Sequence, residues 1–347
     1  MSKITTLGID LAKRVFQVAA EDARGVEQPI ERSRFTSREA FAAYLGTLAP
    51  PLRVGMETGP GAQAWARLLQ SRGIDVQVLP AQRVAEHRSG AKNDANDARA
   101  ILRALRDTSI HPVPVKSVEQ LTMQALHRAR QGWMARKTAL GNQMRGLLLE
   151  HGVTVAQGDA ALCVALARVP QHELVPQRLR DLIEVLWDEW QAQVARIAAS
   201  DLEFKALARQ DPLARRLDAI AGIGPLTATA LACKGLEPGR FRNARMFAAY
   251  FGVVPDQHSS GEKIRLGRMS KRGDGYVRQL LINGAHAVVR VVRHDATDAL
   301  SRRVLRWRGR HGVKGAAVRL ANHNLRVVWA MLKNQTSYRR GAPMTTN

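Results

Sequence analysis

Two short apolar runs that each carry a glycine and end in an acid constrain this chain more than any other feature. Leu7-Gly8-Ile9 runs into Asp10, and Val54-Gly55-Met56 runs into Glu57. Ile4 to Ile9 and Leu52 to Glu57 have the length and β-branched content of strands. A carboxylate at the end of a buried strand is costly unless it meets water, a partner or a metal. Strand ends are also where α/β folds gather their sites. The pattern predicts an α/β domain with acids at its rim.

The neighbouring segments fit that domain. Val15 to Ala20 reads as a second strand, and Arg32 to Phe35 as a third extended run. Thr36 with Glu39 forms a capping-box pattern ahead of a helix from Ala40 to Leu45. Gly61 to Ser71 reads as a helix and Asp75 to Leu79 as a strand. A further helix follows the loop around Ser89 and Gly90 and carries Asp94 and Asp97, which at i and i+3 share one face. Taken singly, each acid reads as a helix cap, a surface charge or half of an ion pair. Three segments that present acids at one rim read instead as a metal nuclease core. Hard oxygen ligands suit Mg2+ or Mn2+, and a pair of such ions can activate the attacking oxygen and neutralise the leaving one in phosphodiester chemistry.

Pro112 and Pro114 break the chain, and the middle is helical. Apolar or small residues recur at Val118, Leu121, Ala125, Ala129, Trp133, Leu140, Met144 and Leu147, and again from Leu179 through Leu182, Leu186, Trp190 and Val194 to Ile197. The two helices read as an antiparallel coiled-coil arm or as ordinary bundle helices. After Asp211-Pro212, Ala221-Gly222-Ile223-Gly224-Pro225 sets two glycines in a tight turn between helical stretches. A helix-hairpin-helix would cradle a DNA phosphate there through Gly222, Gly224 and Thr227 without reading a base; a plain glycine-rich helix turn is the alternative.

The 347 residues exceed the usual single-domain size, so two or three domains are expected. The formal charge is +23, and most of the excess lies beyond Lys205. Such a field attracts a polyanion, with nucleic acid the leading choice. No apolar run is long enough to span a bilayer and no signal-peptide core follows Met1, so a cytoplasmic location is expected. Cys163 and Cys233 stand far apart without a CxxC partner, which excludes a disulfide framework and thiolate zinc; both read as buried thiols.

The basic half contains Pro255-Asp256-Gln257-His258-Ser259-Ser260-Gly261, followed by Lys263, Arg265, Arg268, Lys271, Arg272 and Arg278. This strip reads as a phosphate-binding Ser/Gly loop or as one that carries a nucleophilic serine; spacing alone leaves both open.

With Gly8-Ile9-Asp10, Met56-Glu57-Thr58-Gly59, Lys92-Asn93-Asp94 to Asp97-Ala98, Gly222-Ile223-Gly224 and Ser259-Ser260-Gly261 in this order, the chain resembles the insertion-sequence one-hundred-ten family of transposases, to which the Piv-type DNA invertases are related. The resemblance covers nearly the whole chain. It implies a RuvC or ribonuclease H-like domain over 1–112, a helical coiled-coil segment over 113–208 and a mainly helical C-terminal transposase domain over 209–347. It also implies Asp10, Glu57, Asp94 and Asp97 as Mg2+ ligands, and Ser260 as a nucleophile that forms a transient phosphoserine link to DNA. The expected partners are double-stranded donor and target DNA, a structured bridge RNA that pairs with both, and other copies of the chain in a tetramer whose sites join serine and acids across subunits. Asn93 departs from the threonine common before the third acid. The rivals are a structure-selective nuclease that uses the same acids with water, and a non-catalytic nucleic-acid-binding protein.

Overall fold

The computed structural model describes residues 3–258 and 265–338. The chain divides into two compact units, one formed by Met1–Val118 with Lys234–Leu236 and the other by Glu119–Cys233 with Glu237–Asn347.

Strand alternation sorts the first unit into layers. It runs β1 (Ile4–Leu11), β2 (Phe16–Asp22), β3 (Glu27–Gln28), β4 (Arg34–Phe35), α1 (Arg38–Thr47), β5 (Arg53–Glu57), α2 (Ala62–Gln70), β6 (Asp75–Leu79), α3 (Ala81–Glu86) and α4 (Asp94–Arg106). The sheet order is β3-β2-β1-β5-β6, with β4 also on β2. β1 is antiparallel to β2 and parallel to β5, which is parallel to β6. Leu7, Ile9 and Leu11 alternate onto one face with Val54 and Met56, where they join Phe41 and Leu45 of α1 and Trp65 and Leu69 of α2. Phe16 stacks on Phe41 at 4.3 Å, and Trp65 meets both rings edge-on. Full burial of each such ring stabilises the fold by about 1.5–3 kcal/mol. α4 covers the opposite face with Ala98, Ala100, Ile101, Leu102, Ala104 and Leu105, all buried. The first helix is capped one residue later than the capping-box pattern implied. Ser37 is the N-cap and its side chain accepts from the Ala40 N–H, so Arg38 opens the helix instead of Ala40.

The second unit holds α5 (Val118–Leu149), α6 (Asp159–Leu166), α7 (Gln177–Gln210), α8 (Pro212–Asp218), α9 (Pro225–Ala232), α10 (Ala244–Tyr250), β7 (Pro255–Gln257), β8 (Leu266–Met269), α11 (Gly275–Val291) and α12 (Ala299–Asn334). α5 and α7 pair antiparallel along their length. His127 stacks on Phe204, Arg130 is paired with Asp201, Gly141 lies beside Trp190, and Met144 and Leu148 cluster with Ile183 and Leu186. Each step along α5 is answered by an equal step back along α7. The buried stripe follows Met123, His127, Gly141, Met144 and Leu148 on α5, with Arg130 and Lys137 nearly buried between them. On α7 it follows Ile183, Leu186, Trp190, Gln193, Ile197, Ser200 and Phe204. This spacing of three and four is that of a coiled-coil seam. It lies beside the stripe expected from apolar residues alone, and Leu182 and Val194 are exposed.

A polar core ties this arm to the rest of the unit. The Thr229 hydroxyl donates to the Pro225 carbonyl, so His127 Nε2–H donates to Thr229, and Nδ1 is left to accept from Tyr276 at 3.0 Å. Burial pushes the Tyr276 phenol up to about 12, which keeps it a donor. Of the two cysteines, Cys233 is buried and Cys163 is exposed, a correction to the expectation that both are buried. Among the described residues no helix is long and apolar enough to cross a membrane.

Candidate active site

Gly8 and Gly55 are register partners in the parallel β1–β5 pair. Both face α4. A Cβ on Gly8 would stand 2.4 Å from the carbonyl oxygen of Ala98, and one on Gly55 would stand 2.5 Å from Leu105 Cδ1. The glycines let the helix settle onto the sheet. Asp10 and Glu57 lie two residues further along their strands, so alternation turns both carboxylates toward the same face. The glycine and the acid in each run thus have one explanation: the first makes room for α4, and the second sits where its N-terminus arrives.

Asp94 and Asp97 occupy the first turn of α4. Asn93 is its N-cap, with Oδ1 accepting from the Asn96 N–H at 2.8 Å. Asparagine and threonine both cap helices, so the departure at this position preserves the function that places the two acids. The positive end of the helix dipole favours carboxylates there.

The four acids sense one another. Asp10 is pushed from 3.8 up to about 6 by burial first and then by the charges of Glu57, Asp97 and Asp94. Glu57 is raised by burial and by Asp97, while Arg88 and Lys92 pull it down. Arg88, which the sequence reading passed over, donates from Nε to the Asp97 carboxylate. Its guanidinium is the cation that the acids now hold. Among the described residues no three of His, Cys, Asp and Glu stand close enough together to share an ion. The four carboxylates are hard oxygen donors gathered at the strand ends and the helix start under mutual repulsion, with an arginine in partial compensation. Such a donor set suits a divalent cation in its chemistry and charge.

The serine strip belongs to the second unit. β7 and β8 form an antiparallel hairpin, absent from the expectation of a mainly helical segment, that flanks residues 259–264. Ser260 and Lys263 lie outside the described residues. Past the Gln257–Leu266 pair the N–H of His258 donates to the Arg265 carbonyl, and Asp256 lies within ion-pair reach of His258 and Arg272. Arg265, Arg268, Lys271 and Arg272 are exposed. Arg278 instead donates to the carbonyls of Phe251 and Arg272, bracing the strip from behind. Gly252 and Gly273 let the turns at 250–252 and 271–273 close on each other, since a Cβ at either would fall about 2 Å from a carbonyl oxygen.

The glycine turn joins α8 to α9. Gly222, at φ +91°, packs on Gly284 and Asn324, and Asn324 Nδ2 donates to the Ala221 carbonyl. Gly224 is exposed and caps α9, whereas Thr227 is buried.

The chain resembles known proteins along almost its whole length. Residues 214–300 match the family described as Transposase IS116/IS110/IS902, and residues 7–152 match the DEDD transposases of IS110. A protein of Pseudomonas aeruginosa named "Probable family 20 transposase" is 41% identical over 97% of this chain and 99% of its own. The transposase for insertion sequence element IS1111A of Coxiella burnetii is 37% identical, with 99% of this chain and 93% of its own covered. That for IS1328 of Yersinia enterocolitica is 34% identical over 97% and 99%.

Proposed function

The chain belongs to the IS116/IS110/IS902 family of transposases, and on that premise we propose that its four acids and Ser260 form one composite site for cutting and rejoining insertion-sequence DNA. The observation that carries this reading is the placement of Asp10 and Glu57 side by side at strand ends, under the first turn of the helix that bears Asp94 and Asp97. The sheet order, with one antiparallel strand beside a parallel set, supports a RuvC-like assignment of the first unit.

Asp10, Glu57, Asp94 and Asp97 would hold Mg2+, with Mn2+ as a substitute. When bound, the metal supplies charge neutralisation at the phosphate and activation of the attacking oxygen. The acids bind and space that charge, and the half-burial of Asp10 and Glu57 limits the water around it. Ser260 Oγ attacks phosphorus and displaces a deoxyribose oxygen, which leaves a phosphoserine ester and a free hydroxyl. Attack by a hydroxyl of another DNA end on that ester rejoins the strand and restores the serine. Gly222 and Gly224 at the α8–α9 turn, together with Lys263, Arg265, Arg268, Lys271 and Arg272, would hold phosphates; Thr227 and Arg278 serve packing. The large basic excess suits a structured guide RNA as well as donor and target DNA, with base pairing selecting the sequence. A tetramer would bring serine and acids together across subunits.

A suicide DNA substrate tests the reading. The wild-type chain should trap a covalent adduct with Mg2+, and Ser260→Ala should lose it. Full cleavage by Ser260→Ala together with its loss in Asp10→Asn would show hydrolysis by water. Indifference to Mg2+ and to Asp94→Asn would show a non-catalytic binder. Defined RNA copurifying with the chain supports guidance, and its absence counts against it.

A further inference from the structure

α12 contains nine Lys and Arg residues and no Asp or Glu over its 36 residues. It is not a straight rod. Gly312, at φ 66° and ψ 177°, breaks the helical path. Trp307 and His323, sixteen positions apart, meet edge-on with ring centroids at 6.3 Å, whereas a continuous helix would separate them by about 24 Å. The helix therefore doubles back on itself at Gly312. The doubling places Arg303 and Trp307 of the first leg beside His323 and Arg326 of the second.

Among the described residues no carboxylate pairs with Arg303 or Arg326. Arg326 Nε is buried with no hydrogen-bond partner. A solvated basic face would leave its nitrogens in water, and a buried guanidinium N–H without an acceptor is expensive. By contrast, both terminal nitrogens of Arg308 on the same helix are engaged, donating to the carbonyls of Val289 and Val292 at the end of α11 and to His294. His323 cannot add to the positive charge. Burial, followed by Arg303 and Arg326, holds its pKa down at about 4, so it stays a neutral ring against Trp307. The cluster presents two guanidinium groups, one with an orphan donor, beside a half-buried aromatic pair.

We propose that the doubled-back α12 forms a nucleic-acid site in which Arg303 and Arg326 grip a backbone phosphate and Trp307 packs against the adjoining nucleotide. Guanidinium forks match phosphate oxygens, and an indole offers a face that any base can use. This site is separate in sequence from the serine strip and the glycine turn. It rests on the reading of the chain as a nucleic-acid-processing protein, and it can fail alone.

The test measures binding of the full chain, in EDTA, to a random-sequence DNA duplex and to a hairpin RNA with the same number of phosphates. Binding is read apart from cutting, so a chain that binds normally but forms no DNA adduct counts against the composite active site alone. Arg303→Gln should weaken binding about fivefold to tenfold at moderate salt and reduce the log–log salt slope by about one. Trp307→Ala should weaken it about tenfold with the slope unchanged. Arg326→Lys, which keeps the charge and guards against misfolding, should lose affinity because the fork is gone. Arg178→Gln, an exposed cation on α7, is the control for bulk charge and should change affinity much less. Losses on RNA alone assign the site to RNA, losses on duplex alone assign it to DNA, and losses on both assign it to the shared phosphodiester. Unchanged affinity for both probes in folded variants overturns the proposal, as does a loss no larger than that of Arg178→Gln.

Discussion

Asp10→Asn should stabilise the metal-free protein while it destroys the site. The substitution removes one charge at nearly constant volume from the place where the repulsion is concentrated. In the folded chain Asp10 is raised from 3.8 to about 6, by burial and then by Glu57, Asp97 and Asp94. About two pKa units correspond to about 3 kcal/mol, and the water that still reaches this half-buried group reduces the expected effect to about 2 kcal/mol. The sign follows from proton linkage. An acid whose pKa is raised by folding binds its proton more tightly in the folded state. Its contribution is therefore complete below about pH 4, is lost as the pH climbs toward about 6, and stays lost at neutral pH. The asparagine variant has no such loss. Urea denaturation in EDTA should show it more stable than wild type at neutral pH, by a margin that shrinks on acidification, with the urea m-value unchanged. Added Mg2+ should then raise the wild type by mass action and leave the variant behind. A variant equal to or weaker than wild type at neutral pH, or a margin that does not vary with pH, would refute the electrostatic account of the acid cluster.

Gly8→Ala places a methyl carbon 2.4 Å from the Ala98 carbonyl oxygen; α4 must lift, with a stability loss of about 1–3 kcal/mol in urea titration and weaker Mn2+ binding because Asp94 and Asp97 move with the helix. Arg88→Gln removes the cation held by Asp97, so Mn2+ measured by electron paramagnetic resonance should bind about fivefold more tightly, a change of about 1 kcal/mol; weaker binding would mean that Arg88 organises the acids instead of occupying them. Tyr276→Phe strips His127 Nδ1 of its donor and should cost about 1–3 kcal/mol, whereas no loss would show that water replaces the phenol.

What could be read from the sequence, and what could not, divides along physical lines. The placement of the acids, at two strand ends and in the first turn of one helix, was legible because strand alternation and the i, i+3 spacing of a helix are local rules, and both operate within a few residues of Asp10, Glu57, Asp94 and Asp97. The role of Gly8 and Gly55 was not, although both glycines were in plain view. Their meaning depends on the packing of a helix some ninety residues from the first and fifty from the second. Arg88 escaped for a related reason: an arginine in a loop of a basic chain carries no local mark of the carboxylate it will meet.

The arm shows the same limit in another form. Its seam has regular three-and-four spacing, but His127, Arg130 and Lys137 occupy seam positions on α5, and Gln193 and Ser200 do so on α7. A search for apolar periodicity therefore settles on neighbouring positions such as Leu182 and Val194, which the structure exposes. The occupants on α5 are satisfied by partners on other elements: Asp201 for Arg130, the Trp190 face and Asp159 for Lys137, and Thr229 and Tyr276 for His127. On α7, Ser200 donates to the Ile197 carbonyl of its own helix. A seam built this way gives up some apolar burial and gains a fixed register, because a slip of one heptad would leave Arg130 without its carboxylate and His127 without its donor. That cost follows from the price of an unpaired buried polar group. It makes the paired lengths of α5 and α7 a consequence of polar matching as much as of hydrophobic contact.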